Sequence, residues 1–147
     1  MLAPQLVNLL GSCHCGVVRF TLAWPDATPR IPARACSCTF CIKHGGVWTS
    51  HPAATLVVTI TDPARVRCYR FGTQTADFHV CTDCGVVPLV TCEIDGRRYA
   101  VVSVNAFDGL DAALLDRRPA NFDGEHTGDR LARRRRNWIA TVEFRTP

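Results

Sequence analysis

The chain has 147 residues, a length that suits one ordinary domain built on one hydrophobic core. Hydrophobic residues make up 47% and charged residues 20%, which excludes the polar, highly charged profile of a disordered chain. The net charge of +4 is modest, and much of the excess sits in the run Arg133 to Arg136, which argues against an extended surface that tracks nucleic acid.

The opening MLAPQLVNLL is mildly apolar, but it lacks Lys or Arg and is interrupted by Pro4, Gln5 and Asn8, which argues against a signal peptide. Leu-Gly-Ser before Cys13 resembles a lipoprotein cleavage site only loosely, and no apolar run approaches the roughly 18 residues of a membrane span. The expectation is a cytoplasmic protein without a membrane partner. Alternation and β-branched content predict strands over Val17–Trp24, Leu56–Thr61, Val66–Phe71, Ala76–Cys81, Val86–Glu93 and Arg98–Asn105. Turn chemistry separates them at Trp24-Pro25-Asp26, Thr61-Asp62-Pro63, Phe71-Gly72-Thr73 and Ile94-Asp95-Gly96-Arg97, and Asp95-Gly96 is the strongest hairpin signal. Helix is scarce: a short turn from Cys38 to Lys43, a second segment over Asp108–Leu115, and a C-terminal helix over Gly128–Trp138 that carries the arginine run. No repeat, low-complexity stretch or linker divides the chain, so residues 1–147 read as one mainly β domain.

Nine cysteines make an odd set, and a chain without an export signal keeps its thiols reduced, where clustered cysteines more often bind metal than pair as disulfides. Three clusters stand out: Cys13-His-Cys15, Cys36-Ser-Cys38-Thr-Phe-Cys41 and Cys81-Thr-Asp-Cys84. Cys68 and Cys92 stand alone inside apparent strands and read as ordinary packing residues. A CxC or CxxC pair on a tight turn aims two sulfurs at one point, half of a tetrahedral site. Seven clustered sulfurs divide as four plus three, which matches a closed structural zinc and an open catalytic one with a position left for water or substrate. Spacing alone leaves the pairing of the clusters open.

CHCG (Cys13 to Gly16), CSCTFC (Cys36 to Cys41) followed by Lys43 and Gly45-Gly46, CTDCG (Cys81 to Gly85) and VNAFD (Val104 to Asp108) together resemble the glutathione-dependent formaldehyde-activating enzyme family, which includes the centromere protein V relatives. The resemblance covers about residues 10–110 and leaves 111–147 as a C-terminal extension. It implies a β-tent, an antiparallel β-structure organised around one structural zinc held by Cys13, Cys15, Cys81 and Cys84. It also implies a second zinc on Cys36, Cys38 and Cys41 at the active site, and carbon–sulfur lyase chemistry on a small thiol and an aldehyde, with glutathione and formaldehyde as the named pair. Where many members carry a basic pair after Cys41, this chain has Ile42-Lys43-His44.

Around the open cluster, Lys43 could pair with a substrate carboxylate, His44 follows closely, and Phe40 and Trp48 could wall a pocket or simply belong to the core. His14 must point away from any metal held by its neighbours, and His79 could face either the core or a site. Asp123 and Glu125 in NFDGEH are candidates for a general base only if the tail folds over the site. The arginine run reads as a solvated or oligomer-contacting helix rather than a phosphate-tracking face. A homodimer is the default expectation for a small enzyme. The rival readings are a non-catalytic zinc-binding interaction module and a redox protein that would need Cys68 or Cys92 as its nucleophile.

Overall fold

The computed structural model describes residues 6–27 and 29–146, so Pro4 and Gln5 of the opening segment lie outside the described residues. In chain order the elements are β1 (Val7–Ser12), β2 (Val18–Trp24), β3 (Ile31–Cys36), α1 (Thr39–His44), β4 (Val47–Thr49), β5 (Thr55–Ile60), β6 (Val66–Tyr69), β7 (Asp77–Cys81), β8 (Leu89–Ile94), β9 (Arg97–Ser103), β10 (Leu115–Ala120), α2 (Thr127–Asn137) and β11 (Thr141–Arg145). They form a four-stranded sheet in the order β1-β2-β5-β11 and a seven-stranded sheet in the order β10-β3-β4-β9-β8-β7-β6. The mainly β character with few helices is what the strand pattern and the family resemblance lead one to expect; the division into two sheets is a finding of the structure.

Alternation explains how the core forms. In β2, Val18, Phe20, Leu22 and Trp24 are buried while Arg19 between them is exposed. They pack with Leu56, Val58 and Ile60 of β5 and with Leu89, Ala100 and Val102 of the larger sheet. Leu22 and Leu56 are 0% exposed, and burying each contributes about 1.5–3 kcal/mol. At the β8–β9 hairpin Asp95 and Gly96 both take positive φ, 51° and 77°, the conformation that a two-residue turn with the right strand twist requires.

The segment Asp108–Leu115 is not the expected helix. Asp111 caps a single 3-10 turn over Ala112–Leu114, and Leu115 then opens β10, which pairs in parallel with β3 from Leu115↔Ile31 to Ala120↔Cys36. The backbone groups along that side of β3 need partners, and satisfying them outweighs a weak local helical pattern. The rest of the extension is equally built in. β11 pairs in parallel with β5, and Ile139 bridges to Ala100 of β9. Residues beyond 110 therefore supply an outer strand to each sheet.

Candidate functional site

Cys13 and Cys15 follow β1 of the smaller sheet, whereas Cys81 ends β7 of the larger one and Cys84 lies in the next turn. Both turns fold back in the same way. Gly16 N–H donates to Cys13 O (3.2 Å) and Gly85 N–H to Cys81 O (2.7 Å), with both glycines in the left-handed region at φ 84° and 79°. The four sulfurs lie within 4.8 Å of one another, with Cys13–Cys15 at 3.7 Å and Cys15–Cys81 at 3.5 Å. A tetrahedral zinc with Zn–S bonds of about 2.3 Å requires sulfurs about 3.8 Å apart, so this donor set fits that ion. Val18 N–H donates to Cys13 Sγ at 3.3 Å. Burial pushes the Cys13 and Cys81 thiols up. Burial also acts against Cys84, but the backbone donors of Cys15 and Val86 and the thiols of Cys81 and Cys13 bring it down to about 6.

The second cluster is built on β3 and α1. Cys36 ends the strand, Cys38 caps the helix by accepting Cys41 N–H at 3.3 Å, and Cys41 is buried in the helix. Their sulfurs also lie within 4.8 Å of one another. Trp48 Nε1–H donates to Cys41 Sγ at 3.3 Å, and a Cβ on Gly46 would stand 2.9 Å from that ring nitrogen and 3.0 Å from the sulfur. Only glycine fits there, which accounts for the second glycine of Gly45-Gly46. A hydrogen bond from Cys41 brings Cys36 down to about 6, and the same bond together with burial pushes Cys41 well up. VNAFD ties the two clusters together. Asn105 Nδ2 donates to Gly45 O (3.2 Å), Phe107 meets Phe20 edge to face, and Asp108 accepts from Ser12 Oγ (2.8 Å) beside Cys13.

Above the three-cysteine cluster opens a cavity of about 480 Å³, within the range of small-molecule sites. Trp48, Phe78, Val90 and Val101 give it apolar wall, and the tail does fold over it: Phe122, Asp123 and Glu125 line it with Arg130, Arg133, Arg134 and Trp138 from α2 and its end. The arginine run is therefore not simply a solvated face, because Arg133 and Arg134 turn into the cavity. Arg133 lies 3.7 Å above the Phe122 ring and pairs with Glu125, Arg134 is buried, and Arg135 turns outward to Asp95 at 2.7 Å. Arg133 holds the Glu125 carboxyl below the usual range. Arg130, Arg133 and Arg134 escape a motif reading because they reach the cysteines only through tertiary packing, whereas Arg34 lies two residues before Cys36 in β3.

Other candidates stand apart from the cavity. Lys43 and His44 line a shallower groove with Phe40, Tyr69 and Phe71, and His44 stacks on Phe40. His14 is exposed. His79 faces the core, with Nε2 2.8 Å from Thr91 Oγ1 and Nδ1 3.6 Å from Cys68 Sγ. Cys68 is not packed as expected: β6 is an edge strand and the residue is exposed, whereas Cys92 is buried and accepts from Arg134 Nη1 at 3.3 Å.

The family model for glutathione-dependent formaldehyde-activating enzymes matches residues 8–119, more than half of the chain. The chain belongs to this family. A crystal structure of a Rhodobacter sphaeroides protein is similar, with a TM-score of 0.55 and 26% sequence identity over 71% of this chain and 92% of that one. The formaldehyde-activating family match reaches from β1 into β10 and contains all seven clustered cysteines, while Phe122 to Trp138 of the cavity wall lie beyond it. Among the described residues no helix is long and apolar enough to cross a membrane.

Proposed function

We propose that the protein is a zinc-dependent carbon–sulfur lyase acting on a thiol–aldehyde adduct such as S-hydroxymethylglutathione, in a reducing cytoplasmic compartment. The observation that carries this reading is a three-thiol cluster opening into a walled cavity, beside a separate four-thiol cluster that needs no further ligand. Cys13, Cys15, Cys81 and Cys84 would hold a structural zinc, and Cys36, Cys38 and Cys41 a second one. When bound there, the second zinc supplies a Lewis-acidic position for a substrate sulfur or aldehyde oxygen.

The chain's own residues supply the rest. In adduct formation the thiol sulfur bonds to the carbonyl carbon, the C=O π bond opens, and the thiol proton ends on the new hydroxyl; cleavage is the reverse. Asp123, exposed on the cavity wall with its charge felt at Cys36, is the group placed to carry that proton. Glu125 is not, because Arg133 occupies both its oxygens and lowers its affinity for a proton. Trp48 orients Cys41 by its N–H, and the apolar wall limits water around the reacting atoms.

The deciding experiment is zinc per chain, with thiol–aldehyde turnover, for the wild type and Cys38→Ser purified without chelator. About two zinc falling to about one, with turnover lost and the fold kept, is expected of a closed plus an open site. About one in both proteins would leave the alternative, a non-catalytic zinc-binding interaction module.

A further inference from the structure

Four arginines line the cavity against two acids. Their charges are not matched evenly. Glu125 accepts from Nε and Nη2 of Arg133, at 3.0 and 3.1 Å, and lies 3.8 Å from Arg130, while Asp123 stands exposed. Arg34 and Arg134 instead rest on neutral groups. Arg34 Nη2 donates to Ser50 Oγ at 2.6 Å, and that hydroxyl is fixed in turn by Asn137 O at 2.8 Å. Arg134 Nη1 donates to Thr75 Oγ1 at 2.9 Å and to Cys92 Sγ at 3.3 Å, and its guanidinium lies 4.9 Å from the Trp138 ring.

Arg134 is only 7% exposed, and its Nε is buried without a hydrogen-bond partner among the described residues. Ser37 Oγ, on the same wall and adjacent to two of the cysteines, is likewise buried and unpartnered. An arginine cannot shed its proton to relieve such burial, and leaving a buried donor unmet costs about 1–3 kcal/mol, more for a charged group. A planar anion that brings its own acceptors removes that cost. Lys43, the one residue by the open cluster that the sequence offered for this task, does not line the cavity.

We infer that Arg34 and Arg134, the latter beyond the family match, form the subsite that receives the carboxylate of the thiol handled in the cavity over Cys36, Cys38 and Cys41. This rests on the thiol–aldehyde reading above. Trp48 and Trp138 both line the cavity and make binding visible as a change in tryptophan fluorescence without turnover.

The test titrates the zinc-loaded protein with 3-mercaptopropionate, its neutral amide 3-mercaptopropionamide, and 3-(methylthio)propionate, which keeps the carboxylate but has no free thiol. The acid should bind about ten-fold or more tighter than the amide, the size of effect one charge-assisted hydrogen bond contributes. In Arg34→Gln, and in Arg134→Gln, that preference should vanish while affinity for the amide stays as in the wild type. Should Arg134→Gln fail to fold, Arg34→Gln and the wild-type acid-to-amide ratio still decide the matter. Equal binding of acid and amide by the wild type, or a preference that survives in Arg34→Gln, overturns the subsite and leaves the thiol reading standing. Arg34-dependent binding of 3-(methylthio)propionate without any binding of the amide supports the subsite and sinks the thiol reading. Binding of none of the three overturns both.

Discussion

At Cys41 one sulfur is held by two constraints of different origin: the helix that Cys38 caps, and the indole N–H of Trp48 arriving from β4. Donors to a metal-bound thiolate tune its affinity, and losing such a partner commonly costs 10–100-fold in metal binding. Trp48→Phe should therefore weaken zinc at the three-cysteine cluster by about that factor in a chelator competition, with the four-cysteine cluster unchanged. His79 carries a second prediction. Burial lowers its pKa from 6.5 to about 4, so the unfolded chain takes up the proton first: stability is whole above about pH 6.5 and declines as pH falls towards 4. Between pH 7 and pH 5 that should amount to about 2 kcal/mol in urea unfolding, absent from His79→Gln measured in parallel. The cysteines were legible in the sequence because short spacing forces short distance, whereas Arg34 and Arg134 were not, being one hundred residues apart and brought to one cavity only by the fold.

Each cysteine turn works because of the glycine behind it. Gly85, at φ 79°, closes its turn onto Cys81 O, and a side chain there meets open space but the wrong backbone conformation. Gly85→Ala should cost about 1–2 kcal/mol in thermal or urea unfolding, through the left-handed backbone alone; no change would mean the turn can relax. The central strands could be read because β2 and β5 alternate cleanly between core and surface. β3 could not, since Pro32 and the small Ala33 and Ala35 mask its pattern, and β4 has only three residues. β10 and β11 are rich in exposed charge and exist because β3 and β5 offer them a partner. Strand identity in such pieces is a property of the neighbour, and a single sequence does not display it.

Seen whole, the four-cysteine cluster is a rivet between the sheets, with one pair of cysteines contributed from each. Metal binding of that kind is folding free energy. Cys81→Ser should lower the Tm by more than about 10 °C, corresponding to roughly 3 kcal/mol or more at this chain length, while Cys38→Ser shifts it far less. Equal losses in paired melts would mean that the two clusters do not divide structural from reactive roles. The floor of the cavity, with its cysteines and Trp48, lies inside the family match at residues 8–119, whereas Phe122, Asp123, Arg130 and Arg134 lie past its end. Much of the far wall of the cavity thus comes from a different length of chain than its cysteines, although Arg34 stands beside them in β3. Genetic drift or exchange confined to the last stretch would reshape that wall of the cavity while leaving every clustered sulfur in place.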